Sequence, residues 1–136
     1  MTRPALRSIL LGTTDPRRLR DWYTAALAPE DRDGFTEVTP TLFARRFGDT
    51  WLLIDGRDDV ADRCPDPGRV TLNFHVDDIR VAEARLVALG AVWIREPEVT
   101  RWGIIGTVLD PDGNYVQIVA PAPDSPTCLQ RKDDHA

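Results

Sequence analysis

The sequence repeats its own pattern once, at an offset of about 63 residues. Residues 7–13 fall on residues 70–76, Asp15 on Asp78, Leu19 on Ala82 and Tyr23 on Leu86. Each copy reads as strand, helix, strand, strand, strand. In the first, Ile9 and Leu11 share one face of a strand while Ser8, Leu10 and Gly12 share the other. In the second, Val70, Leu72, Phe74 and Val76 alternate strictly with Thr71, Asn73 and His75. One copy alone is too small to bury a sheet well, so two modules are expected to share one domain.

The helices follow from their caps. Asp15 can cap a helix with Pro16 in its first turn, running to about Leu27 with Leu19, Tyr23, Ala26 and Leu27 as the apolar face. Asp77 and Asp78 cap the second helix, whose apolar face is Ile79, Ala82, Leu86 and Leu89 and which Gly90 ends. Residues 29–34 form a polar connection. In the first module, 35–38 reads as a short strand, and 42–47 with 50–55 as a hairpin across Gly48-Asp49. In the second, 92–94 and 101–109 read as strands. Asp110-Pro-Asp-Gly-Asn114 is a turn in which Gly113 and Asn114 tolerate positive φ, and it leads into the alternating strand Tyr115-Val-Gln-Ile118.

These elements predict an α+β fold of two βαβββ modules, with a curved mixed sheet and helices on its outer face. Module one spans 6–56, a linker 57–68, module two 69–120, and a flexible tail 121–136. The hydrophobic fraction of 42% is that of an ordinary globular protein, and no run approaches the roughly 18 apolar residues of a membrane span. The start of the chain carries no apolar signal core, so a cytoplasmic protein is expected. The net charge is −5, and arginines are interleaved with acids instead of massed on a stripe, which argues against nucleic acid. Cys64 and Cys128 are expected as free thiols. Lys132 is the only lysine and lies in the tail, which disfavours Schiff-base chemistry.

Strand parity gathers one set of side chains on the face away from the helices: Ser8, Leu10 and Gly12; Trp51, Leu53 and Asp55; Thr71, Asn73 and His75; Tyr115 and Gln117. Thr107, on the strand before the turn, and Trp102 join it as ligand-binding candidates. Such a mixture of apolar area and a few directional polar groups suits a ligand cavity, though a solvated sheet face has the same pattern. Trp51 and Trp102 can stack on a flat ligand or serve in packing. Arg46 shares the face of Trp51 if Gly48-Asp49 is a two-residue turn; another loop length offers Arg45 instead. His75 can act as general acid or base, or as a hydrogen-bonded residue at a strand end. Asp55 is either a second acid or a turn residue. No nucleophile constellation and no glycine-rich phosphate loop is present.

The paired modules, the Asp110–Asn114 turn and the strand–Asp–helix openings together resemble the vicinal oxygen chelate superfamily over roughly residues 6–120. That group includes glyoxalase I, extradiol dioxygenases and bleomycin-binding resistance proteins. In its metal-dependent members the ligands come from the first and last strands of each module. Carried over by position, these are Ser8, Leu53, Thr71 and Gln117, where the family pattern has mainly His and Glu. The resemblance therefore implies a metal-free member without a cofactor, like the drug-binding resistance proteins, working as a homodimer. The expected function is sequestration of a hydrophobic or aromatic antibiotic or metabolite. Two alternatives are an isomerase, lyase or cyclase using His75 or Asp55 for proton transfer, and a metal enzyme whose site is rearranged around His75, Asp55 and Gln117.

Overall fold

The computed structural model describes residues 3–27 and 34–122. Most of the connection 29–34, the tail beyond Ala122, Cys128 and Lys132 lie outside these residues. Among the described residues the chain divides into two compact units, 1–63 and 64–136, the division falling inside the linker read from the sequence. The first unit runs β1 (Ser8–Thr13), α1 (Pro16–Leu27), β2 (Thr36–Thr39), β3 (Leu42–Phe47) and β4 (Thr50–Gly56). The second runs β5 (Thr71–His75), α2 (Ile79–Ala88), β6 (Trp93–Thr100), β7 (Gly103–Leu109) and β8 (Tyr115–Ala120). The two βαβββ modules are thus present, each with its own four-stranded mixed sheet. The strand orders are β1-β4-β3-β2 and β5-β8-β7-β6, the first pair parallel and the others antiparallel.

Each helix begins where its cap dictates. The Asp15 carboxylate accepts the Arg18 N–H at 3.2 Å, and Asp78 accepts the Arg80 N–H at 2.9 Å. Helix α1 packs on β4, β1 and β3. Its Leu19, Tyr23 and Ala26 are buried, as are Phe43, Leu52 and Ile54 on the strands. Each large apolar side chain so buried contributes about 2 kcal/mol. Phe43 also carries two guanidinium groups, Arg20 at 4.6 Å and Arg17 at 5.5 Å from its ring centroid. In the second unit α2 packs on β8, and Leu72, Ala82, Leu86, Val108, Val116 and Ile118 form the core. Gly90, at φ +69°, ends α2, and the Ala91 N–H bonds back to the Leu86 carbonyl at 3.0 Å.

Four expectations need correction. Leu89 is exposed, because it lies beyond the last helical turn and caps α2 instead of packing beneath it. Val70 precedes β5 and is also exposed. Among the described residues only glycines have positive φ, so Gly113 alone supplies it in the 110–114 turn. Asn114 instead donates from its side chain to Asp110 Oδ2 at 2.9 Å, while Asp110 Oδ1 accepts the N–H groups of Asp112 and Asn114. Finally, β6 does not stop at Ile94 but continues to Thr100. It is an edge strand with irregular register on both sides of Arg95, and an edge tolerates the missing N–H of Pro97. Gly106 lets this strand approach closely: a Cβ there would stand 3.1 Å from both Pro97 and Trp93.

A candidate ligand-binding face in each module

Register fixes which side chains stand together on the face that each helix leaves uncovered. In module one, Gly48 has φ +60° and Asp49 does not have positive φ, so the hairpin closes through two residues with Phe47 opposite Thr50. Arg46 is therefore opposite Trp51, whereas Arg45 is opposite Leu52 on the helix side, buried, with its guanidinium 4.9 Å from the Phe47 ring centroid. Three rows cross strands β3, β4 and β1: Arg46, Trp51 and Ser8; then Ala44, Leu53 and Leu10; then Leu42, Asp55 and Gly12. Trp51 is 40% exposed and Leu10 50% exposed, large apolar surface lying side by side. Arg46 Nε donates to the Gly48 carbonyl at 3.0 Å, which turns its guanidinium back along the hairpin.

The third row ends in a charged cluster that joins Asp55 to Arg57 and Asp59 of the linker. Arg57 reaches back to Asp55 at 3.5 Å and makes two hydrogen bonds to the Asp59 carboxylate, at 2.6 and 2.7 Å. Those bonds hold Asp59 below its usual carboxylate range and raise Arg57 in turn. Asp55 thus stands on the predicted face as one member of an ion-paired group. Arg57, Asp58 and Asp59 also line an open depression of about 570 Å³, with Thr14 and Pro16 at the start of α1 and Thr41 and Gly56. The signal in the sequence was the alternation of acid and arginine from Asp55 to Asp59, directly after a strand.

In module two the rows cross β7, β8 and β5: Leu109, Tyr115 and Thr71; then Thr107, Gln117 and Asn73; then Ile105, Val119 and His75. Asn73 and His75 are exposed, Thr71, Tyr115 and Gln117 half-buried, and Thr107, Ile105 and Val119 buried. Trp102 belongs to none of these rows. It stands in the two-residue turn between β6 and β7, 49% exposed, with the Arg101 guanidinium 5.1 Å from its ring centroid.

The two modules share one register. Leu10 is opposite Leu53 as Asn73 is opposite Gln117, so Leu53 and Gln117 are equivalent positions. The donor set at the four positions considered for a metal is then a hydroxyl, a hydrocarbon, a second hydroxyl and a carboxamide, from Ser8, Leu53, Thr71 and Gln117. It holds no imidazole, thiolate or carboxylate, and a divalent transition ion needs those types. Among the described residues no three or more His, Cys, Asp or Glu side chains cluster as a metal site would require. These residues do not fit the metal of the metal-dependent relatives.

A family model described as a glyoxalase-like domain matches residues 8–119. No curated protein matches the sequence. Among solved structures, the chain is similar to a glyoxalase/bleomycin resistance protein/dioxygenase family enzyme from Burkholderia phytofirmans PsJN. The TM-score is 0.68 at 18% identity, covering 88% of this chain and 100% of that one. A glyoxalase-related enzyme from Fulvimarina pelagi gives a TM-score of 0.66 at 21% identity, covering 90% and 95%. Lactoylglutathione lyase from Agrobacterium tumefaciens gives 0.60 at 18% identity, covering 88% and 96%. At such identities the likeness is one of fold. No helix among the described residues is long and apolar enough to cross a membrane.

Proposed function

Since this chain belongs to the glyoxalase-like domain family, within the vicinal oxygen chelate superfamily, we propose that it binds a hydrophobic or aromatic small molecule without a metal ion. Its role in this reading is to sequester an antibiotic or a toxic metabolite. The observation that carries the proposal is the pairing of Trp51 with the apolar row Ala44, Leu53 and Leu10 on the face that α1 leaves uncovered. A half-exposed indole beside aliphatic side chains offers stacking area and dispersion contacts to a flat ligand. The position where a carboxylate or imidazole would begin a metal centre is there a leucine, which adds to the apolar surface instead. The proposed working unit is a homodimer, and sedimentation of the purified chain at micromolar concentration reads its mass.

Titration with a panel of aromatic and polycyclic compounds tests the proposal through tryptophan fluorescence. At least one compound should shift the emission at micromolar concentration, and Trp51→Phe should remove most of that change. A panel without any response overturns the reading.

A second reading, an isomerase, lyase or cyclase, draws on His75, which is exposed on the helix-free face at the end of β5 beside Val119. In that case His75→Ala abolishes turnover and leaves binding intact. Unchanged turnover removes His75 from any mechanism.

A further inference from the structure

The helix-free face of module two is layered. Its outer rows are mainly apolar, Leu109 and Tyr115 on one side and Ile105 and Val119 on the other. Between them runs the row Thr107, Gln117 and Asn73, one hydroxyl and two carboxamides on three neighbouring strands. Adjacent strands lie about 4.8 Å apart, so the three groups span roughly 10 Å, the width of a fused ring system. Among the described residues none of the three side chains hydrogen-bonds to another protein group. Thr107 is only 7% exposed, so Gln117 and Asn73 are the members of the row that a ligand reaches. A polar stripe framed by apolar stripes, with its donors and acceptors uncommitted inside the protein, is a recognition surface of stated chemistry.

We propose that this row reads the edge of an uncharged, planar ligand bearing a cyclic amide: a lactam or cyclic ureide whose N–H and C=O face the Gln117 and Asn73 carboxamides. The inference rests on the small-molecule reading above and gives the face of module two a ligand class of its own. A carboxamide presents a donor and an acceptor together, which matches an N–H beside a C=O and no single formal charge. On one side the half-buried Leu109 and Tyr115 offer apolar area to the ring, while Ile105 and Val119 on the other are buried. A carboxylate is disfavoured in the same place because the row supplies no cation. Arg95 continues it on β6, opposite Thr107, but its guanidinium is bound to Glu98. The equivalent row in module one, Ala44, Leu53 and Leu10, has no polar side chain at all, so this chemistry belongs to module two alone.

Calorimetric titration of the full chain tests this with 2-pyridone, 2-quinolone and phenanthridinone, each beside its N-methyl analogue, and with 2-naphthoate as the anionic control. At least one lactam should bind tenfold or more tightly than its N-methyl partner and than 2-naphthoate. Gln117→Met should abolish that preference, bringing the affinity for the lactam down to that for its N-methyl partner. Asn73→Leu, at an exposed position, should do the same and serves as the second variant. If the compounds bind with equal affinity, or naphthoate binds best, the amide inference is overturned while aromatic binding stands. If none of the compounds binds, the amide inference is overturned, and the fluorescence panel with Trp51→Phe decides separately whether the function it rests on stands.

Discussion

Arg57 occupies the space that a side chain at residue 12 would need. A Cβ on Gly12 would stand 2.7 Å from Arg57 Cδ, closer than carbon atoms approach without bonding, and 3.5 Å from Val60 Cγ1. The glycine in β1 therefore lets the arginine stem lie flat across the end of the sheet, from where its guanidinium reaches Asp55 and Asp59. Gly12→Ala should displace the stem and open both ion pairs. The pairs are largely exposed, so the loss of stability read by urea unfolding should be small. A loss of several kcal/mol would mean that the backbone, not Arg57, yields to the new methyl group.

The same cluster has a pH signature. Hydrogen bonds from Arg57, aided by its charge, hold the Asp59 carboxyl below the usual value of 3.8. A carboxyl depressed in the folded state stabilises the fold at pH values above its unfolded pKa. That contribution is lost as pH falls through the folded value. Carboxyl-carbon NMR across pH 2 to 6 should show Asp59 titrating below 3.8, and Arg57→Gln or Gly12→Ala should move it back up. An Asp59 that titrates normally in the unaltered protein removes the pair as a persistent feature in solution.

Two glycines with positive φ differ in what surrounds them, which separates strain from collision. Gly90 at φ +69° has open space where a Cβ would go. Gly90→Ala should cost about 1 kcal/mol, the price of the left-handed backbone alone. Gly103, at φ +120°, would place a Cβ 2.4 Å from the carbonyl oxygen of Ala120, a backbone atom of the neighbouring strand β8. Gly103→Ala should therefore cost about 3 kcal/mol or more. Chemical unfolding of both variants reads the difference, and equal costs would place Gly103 in open space as well.

Much of the architecture was legible because its strongest signals are local. Asp15 and Asp78 mark helix starts through their own carboxylates, and strict alternation around Leu72 and Phe74 needs no knowledge of neighbours. β6 was hidden because Arg95-Glu-Pro-Glu98 shows no alternation, and only an unpaired edge and an irregular register make a strand out of it. The face of Arg46 depended on the length of one turn. The rows of the candidate site depended on register between strands far apart in sequence, so parity could say that Asn73 and Gln117 share a face but not that they are opposite each other. Nothing local announces that Arg57 folds back over Gly12, since that contact exists only once β1 and β4 are paired.

The equivalence of Leu53 with Gln117 bears on metal content. A transition ion bound tightly at neutral pH draws its affinity from imidazole, thiolate or carboxylate ligands, and the four carried-over positions offer two hydroxyls, a carboxamide and a hydrocarbon. Protein purified without an affinity tag should hold less than about 0.1 equivalents of any divalent transition metal. Adding zinc or nickel should leave the thermal midpoint unchanged, because a ligand stabilises the folded state only in proportion to its binding there. Leu53→Glu adds one carboxylate and still leaves the other three positions without a strong ligand, so it should not restore retention. Near-stoichiometric metal that survives dialysis of the unaltered chain would overturn the metal-free reading. Loss of that metal on His75→Ala or Asp55→Asn would then locate a site that the four carried-over positions do not describe.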